Sequence, residues 1–289
     1  MFYIFFMTEA TNFLDFCFDN KRINKTDKQE ILLLHTNLQT YNYDDVFSPD
    51  VVCKFHKTHM NFHRTIIENS AHYLLTGTVI HKNKNRIFKI WITNKDHPCS
   101  NDVCFQMLIE YHFQNIFVNN VTDSILIVPQ TYNYGKVILN TNNEILYFYE
   151  MEYYDSRKYV LDSIIDLGNE SKLRKLLYFH SIQYNGYTAI CNMESRISIT
   201  HGDIPNICHD DSNDIEYSLD SSELLNKGHL DAFVINNYNM LICNDKLVLI
   251  DFGEVARSRE RKSRLRDYNK LFNEYTGTKL RTDDYQRNA

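Results

Sequence analysis

The hydrophobic pattern changes near residue 71, from helical spacing to short apolar runs that are typical of strands. Residues 73–80 and 86–92 are two such runs, rich in β-branched and aromatic residues, and they flank a polar tip at residues 81–85. This arrangement predicts a β-hairpin. Three further apolar runs predict strands at residues 124–128, 136–139 and 145–149.

Helical spacing dominates the segments on either side of this strand-rich region. Residues 1 to about 70 predict helical turns, and residues 26–29 resemble a capping box ahead of an apolar run. A helix is predicted over residues 101–115. Another is predicted over residues 171–184, where leucines recur at helical intervals.

A second predicted hairpin brings an aspartate to the end of an apolar strand. Residues 239–242 and 246–250 are apolar runs around a polar turn, and the second run continues directly into Asp251-Phe252-Gly253. A carboxylate at the end of a rigid strand is well placed as a hard oxygen ligand for Mg²⁺. The pattern therefore indicates Asp251 as a candidate metal ligand.

Two charged residues fall in apolar surroundings and together predict an ion pair. Lys89 lies inside the apolar run 86–92, where a lone charge needs a partner. In the predicted helix, Val103 and Met107 precede Glu110 at helical spacing, so the Glu110 carboxylate projects from the apolar face. Pairing Lys89 with Glu110 satisfies both charges.

These residues resemble, in their order along the chain, the motifs of the eukaryotic-type protein kinase superfamily. Asp231, preceded by His229-Leu230 and followed five residues later by Asn236, resembles the H-x-D-x-x-x-x-N catalytic loop. Asp251 begins the D-F-G motif. Lys89 and Glu110 resemble the strand lysine and helix glutamate by which kinases hold ATP phosphates.

The resemblance implies a bilobal α+β fold of the protein-kinase type. An N-terminal helical extension would occupy residues 1–70, a small β-rich N-lobe residues 71–152, and a reduced helical C-lobe residues 153–289, with an acidic insertion at residues 209–223. The short segment after Asp251 resembles minimal kinases rather than full signalling kinases. The compact chain also resembles kinases of large DNA viruses or intracellular pathogens.

The implied activity is ATP- and Mg²⁺-dependent phosphoryl transfer to the serine or threonine hydroxyls of a protein substrate. In this interpretation Asp231 orients the hydroxyl and accepts its proton. Lys89, held by Glu110, positions the ATP phosphates. Asn236 and Asp251 hold Mg²⁺ across those phosphates.

Four further residues are implied in nucleotide binding. Gly77 and Val79 match the last G-x-V of a kinase glycine-rich loop, although residues 70–76 contain no glycine. Glu150 and Met151 end the apolar run that resembles the strand leading into the hinge, where backbone groups contact adenine.

Two assignments have competitors in the sequence. His201-Gly202-Asp203 also resembles a catalytic loop, but its asparagine follows after three residues, and the acidic segment 209–223 would interrupt it. The spacing therefore favours Asp231 over Asp203. Asn239 directly precedes the apolar run 240–242 and competes with Asn236 as the metal-binding asparagine.

The rival hypothesis is a pseudokinase or kinase-fold binding module that regulates a partner protein, and the missing glycines motivate it. A net charge of −6 excludes a general nucleic-acid coat protein. The basic run 257–266 leaves local contact with nucleic acid or an acidic partner open. Seven scattered cysteines favour a reducing, cytoplasmic or nuclear location, and the apolar N-terminus is too short for a membrane span.

Overall fold

The computed structural model describes residues 13–47, 52–58, 75–81, 84–94, 100–139, 143–155, 163, 167–201, 240–253 and 255–257. The protein is a mixed α/β structure that divides into two compact units. Of the described residues, the first unit contains those up to Ile116, Gln130–Tyr153 and Val255–Arg257. The second contains those within Phe117–Pro129 and Tyr154–Glu254.

The described segments form five helices and nine strands. The helices are α1 (Phe13–Asp19), α2 (Lys25–Thr36), α3 (Tyr43–Phe47), α4 (Ser100–Asn120) and α5 (Asn169–Ile197). The strands are β1 (Gln39–Tyr41), β2 (Val52–Thr58), β3 (Leu75–His81), β4 (Arg86–Asn94), β5 (Leu126–Ile127), β6 (Thr131–Leu139), β7 (Glu144–Glu152), β8 (Met240–Cys243) and β9 (Lys246–Leu249). None of these helices is long and apolar enough to cross a lipid bilayer.

The first unit is built on a six-stranded sheet in the order β1-β6-β7-β4-β3-β2. The predicted β3–β4 hairpin is confirmed, with Leu75 opposite Ile92 and His81 opposite Arg86. β1 runs parallel to β6, and the other neighbouring strands are antiparallel. β4 therefore lies inside the sheet, between β3 and β7.

The expectation of helical turns throughout residues 1–70 is wrong at β1 and β2. Residues 52–58 show no regular alternation of apolar and polar residues, and pairing with β3 from Val52 to Thr58 fixes them as a strand. The capping box lies at Asn24 and Asp27 rather than at Thr26. The Asn24 side chain accepts the Asp27 N–H, and the Asp27 side chain accepts the Asn24 N–H.

Alternation along β4 separates an apolar core from a charged site. Phe88 and Ile90 point to one face, where they pack with Val46, Phe47, Val137, Leu146 and Phe148. Lys89 and Trp91 therefore point to the opposite face. α3 supplies two of the apolar residues, so the N-terminal segment contributes directly to the core of the first unit.

The second unit pairs a long helix with a three-stranded sheet in the order β5-β9-β8. β8 and β9 form the predicted antiparallel hairpin, and β5 runs parallel to β9. α5 extends beyond the predicted 171–184 and ends at Ser198, which adopts a left-handed conformation with φ 55°. Gly186 lets this helix approach Leu247, because a Cβ at position 186 would lie 2.5 Å from the Leu247 Cβ.

We expect Gly186→Ala to lower the free energy of unfolding of the full chain. Ala gains about 1 kcal/mol of helix propensity, but overpacking against the fully buried Leu247 costs about 1–3 kcal/mol. Urea unfolding measures the net loss. The loss should be smaller in a Leu247→Ala background, which removes the contacts of the Leu247 Cδ2 and Cγ and keeps only that of the Cβ, and an equal loss in both backgrounds would contradict this contact.

Candidate functional site

The Lys89 ammonium forms an ion pair with the Glu110 Oε1 in the interior of the first unit. Lys89 is 8% exposed and Glu110 is 1% exposed. The Tyr149 hydroxyl donates a hydrogen bond to the same Glu110 oxygen at 3.0 Å. The predicted pairing of Lys89 and Glu110 is therefore present, and a tyrosine that the sequence analysis did not identify reinforces it.

Secondary structure fixes the geometry of this pair. Lys89 and Tyr149 are directly opposite on β4 and β7, so both side chains stand on the same face of the sheet. Glu110 approaches from α4 together with the buried Met107. The Lys89 ammonium also lies 5.4 Å from the centroid of the Trp91 ring, within the range of a cation–π contact.

Glu150 and Met151 lie within β7 rather than in a loop. β7 pairs with β4 at both positions and with β6 at Met151. The buried Glu150 carboxylate accepts hydrogen bonds from Arg86 at 3.1 Å and Asn133 at 3.0 Å. The Met151 sulfur accepts a hydrogen bond from Gln114 at 3.4 Å. Both side chains therefore form hydrogen bonds within the first unit. The contact of their backbone groups with adenine stays a prediction.

Gly77 and Val79 lie in β3, which pairs with β2 on one side and β4 on the other. Gly77 is opposite Lys57 and Ile90, and Val79 is opposite Phe55 and Phe88. Their role in nucleotide binding stays a prediction. Residues 59–74, which would form the preceding loop, lie outside the described residues.

Asp251 follows β9 in the second unit and adopts a left-handed backbone conformation with φ 60°. Aspartate tolerates this region better than most residues, because its short side chain bonds nearby backbone groups. Here its Oδ1 accepts a hydrogen bond from the Gly253 N–H at 3.4 Å. Such strained backbone conformations occur at functional sites, so this conformation supports Asp251 as a candidate functional residue.

Asp251 fits the way in which proteins hold Mg²⁺. Within the described part of the chain, no group of three or more histidine, cysteine, aspartate or glutamate residues is arranged so that it could hold a metal ion. Mg²⁺ is commonly held by only one or two protein carboxylates, with waters and substrate phosphates as the other ligands. A single strand-end carboxylate is therefore sufficient on the protein side, together with an asparagine or water ligand.

His201, which begins the competing catalytic-loop motif His201-Gly202-Asp203, is buried. It is 1% exposed, and its ring lies edge-on to Phe252 at 5.0 Å and to Phe117 at 5.9 Å between centroids. Its backbone N–H donates to the Glu194 carboxylate, on the last turn of α5, at 2.6 Å. The segment after α5 is thus fixed beside the residue that follows Asp251.

Four of the predicted site residues are outside the described ranges. They are the two competing aspartates and the two competing asparagines, namely Asp203, Asp231, Asn236 and Asn239. The acidic segment 209–223 also lies outside them, and of the basic run 257–266 only Arg257 is described.

No protein-family model and no curated protein matches the chain. Among solved structures, two of the bifunctional kinase-methyltransferase WbdD share 11% identity and cover 78% of this chain at a TM-score of 0.38. The ROP18 kinase domain, solved with AMP-PNP and sucrose, shares 13% identity and covers 83% at a TM-score of 0.37.

The chain spans less than two fifths of the WbdD chains, 38% and 37%, and 69% of the ROP18 chain.

We expect Lys89→Met and Glu110→Gln each to lower the free energy of unfolding by about 3 kcal/mol, because each leaves a buried charge without its partner. The double variant should lose less than the two single losses together, by 1 kcal/mol or more. Chemical denaturation measures these values. Lys84→Met, at an exposed turn, is the matched control and should change stability by less than about 0.5 kcal/mol. Strict additivity of the two single losses would contradict a direct pair.

Proposed function

We propose that this protein transfers the γ-phosphoryl group of ATP to a serine or threonine hydroxyl of a protein substrate. The observation that carries the proposal is the buried ion pair of Lys89 and Glu110, reinforced by Tyr149. A buried ion pair is costly to desolvate and is often no more stabilising than apolar residues of similar size. Its presence within the apolar run 87–92 therefore favours a chemical role.

Lys89 is the residue proposed to bind the ATP phosphates. A carboxylate on one side and a tyrosine hydroxyl on that carboxylate restrict the positions that the ammonium can adopt. A cation whose position is already fixed loses less entropy on binding an anion. This preorganisation is the role of the corresponding strand lysine and helix glutamate in phosphoryl transfer by kinases.

Asp251 is the residue proposed to hold Mg²⁺, with Asn239 or Asn236 as a second oxygen ligand. When bound, the metal neutralises charge on the phosphates. Asn239 directly precedes Met240, which pairs with Leu249, two residues before Asp251. We favour Asn239 over Asn236 because, along the chain, it is the nearer of the two to the β8–β9 hairpin.

We favour Asp203 over Asp231 as the residue proposed to orient the acceptor hydroxyl. The ring of His201 contacts Phe252, which adjoins Asp251. Asp203 follows His201 by two residues in the sequence. Sequence spacing favours Asp231, and the buried position of His201 supports its competitor.

The alternative is a kinase-fold binding module that regulates a partner without catalysis. The absence of glycine from residues 70–76 favours it, because backbone N–H groups approach phosphates most closely where glycine occurs. The retained Lys89, Glu110 and Asp251 favour an enzyme, since a module that only binds a partner has no chemical need for all three.

The test is Mg²⁺-dependent transfer of labelled γ-phosphate from ATP to protein substrates. We expect transfer by the wild type and a loss of 100-fold or more, at about the lower end for a general base, in Lys89→Ala and Asp203→Ala. Lys84→Ala is the control with an exposed lysine, and it should keep full activity.

The aspartate variants separate the two catalytic loops. Asp231→Ala should stay active if Asp203 is the base, and the reverse pattern would return the assignment to Asp231. A folded wild type that binds ATP but transfers no phosphate to any substrate would favour the binding module. Full activity in Lys89→Ala would contradict the proposal.

A further inference from the structure

One buried carboxylate in the first unit joins three segments that are far apart in the sequence. Asp27 is 1% exposed, and Arg257 donates to it twice, from Nε at 2.9 Å and from Nη2 at 2.7 Å. The His112 Nε2 lies 3.0 Å from its Oδ1. The Asn24 N–H donates to its Oδ2 at 2.9 Å. Asp27 thus connects the start of α2, the middle of α4 and the segment after Asp251.

These contacts exceed what the capping of α2 requires. The exchange of hydrogen bonds between Asn24 and Asp27 completes a capping box without further partners. A paired arginine and a histidine on the same carboxylate add nothing to the cap. Their presence indicates that Asp27 fixes the position of the other two segments.

The segment Val255–Arg257 is fastened to the N-terminal helices through backbone and side chain alike. The Arg257 N–H donates to the Arg22 carbonyl at 2.8 Å, and the Arg22 Nε donates to the Val255 carbonyl at 3.2 Å. With the two bonds to Asp27, these contacts hold the backbone and the side chain of the segment. Val255 lies four residues after Asp251 in the sequence.

α4 is supported on two opposite sides. Two residues along an α-helix are rotated by about 200°, so Glu110 faces Lys89 on the sheet while His112 faces Asp27 on α2. The His35 ring of α2 also stacks on the Phe105 ring of α4 at 4.9 Å. The position of Glu110 therefore depends on α2 as well as on the sheet.

The Asp27 carboxylate is ionised throughout the physiological range. Burial alone raises the pKa of Asp27, but the hydrogen bonds from Arg257, His112 and the Asn24 N–H, with the charge of Arg257, hold that pKa well below its usual range. The contact with Arg257 is therefore a charge-assisted bidentate pair at physiological pH.

We propose that Asp27 is a positioning residue for phosphoryl transfer, which holds Glu110 through α4 and the segment after Asp251 through Arg257. This inference rests on the proposed function. In this proposal the N-terminal helices help to position the residues that act in phosphoryl transfer. It also gives Arg257, the first arginine of the basic run 257–266, an internal role in place of contact with a nucleic acid.

The test compares Asp27→Asn, Arg257→Gln and the double variant in the full chain. Asn keeps the size and the capping ability of the side chain but loses its charge, and Gln removes the bidentate pair. We expect each single variant to lower kcat tenfold or more, and the double variant to lose little beyond either single one, because both remove one interaction. Asp19→Asn, at the exposed last residue of α1, is the matched control and should keep kcat.

Two readouts separate positioning from simple stability. Rates are measured at a temperature well below the Tm of each variant, so that the protein is folded. Under these conditions a purely structural role of Asp27 leaves kcat unchanged. Asp27→Glu, which restores the charge, should recover part of kcat. Full kcat in folded Asp27→Asn and Arg257→Gln, while the wild type is active, would overturn the inference and leave the proposed function intact.

Hydrogen exchange tests the coupling independently of activity. The backbone amides of Arg257 and of the α4 turn around Glu110 should exchange at least tenfold faster in Asp27→Asn, and Asp19→Asn should leave both unchanged. If the wild type transfers no phosphate, the proposed function fails. The coupling then stands if both sets of amides accelerate, and it fails if only the start of α2 does.

Discussion

The constraint on which the first unit depends is the placement of the Lys89 ammonium inside an apolar sheet. A charge at this depth is stable only with a carboxylate in contact, and the Glu110 carboxylate of α4 supplies that contact on the face of β4 that carries Lys89. The pair therefore fixes which side of the sheet α4 covers. The apolar core of the first unit, to which α3 contributes, lies on the opposite face.

Local patterns in the sequence predict the parts of this arrangement that depend on neighbours in the chain. The β3–β4 hairpin and the opposed charges of Lys89 and Glu110 are predictable because each signal lies within one element. The strand β2 is not, because residues 52–58 become a strand through pairing with β3. The role of Tyr149 is equally hidden, since it arises from the register between β4 and β7.

The same distinction explains the two competing catalytic loops. Spacing between motif residues measures distance along the chain, and on that measure Asp231 matches the kinase pattern better than Asp203. Contacts in the structure depend on position in space instead. The contact of the His201 ring with Phe252 supports the motif that contains Asp203. A long insertion in a loop costs little free energy, so spacing is a weak criterion where an insertion occurs.

Asp27 could not be predicted at all, because Arg257 lies 230 residues further along the chain. Its chemistry also differs from that of an ordinary core contact. Apolar packing is non-directional and tolerates small shifts of a helix, whereas a bidentate pair of arginine and carboxylate fixes both distance and angle. A fold that needed only to cover α4 could use apolar residues at these positions. The use of Asp27, His112 and Arg257 instead favours a fixed orientation of α4, which is the property that the proposed phosphate-binding role of Lys89 and Glu110 requires.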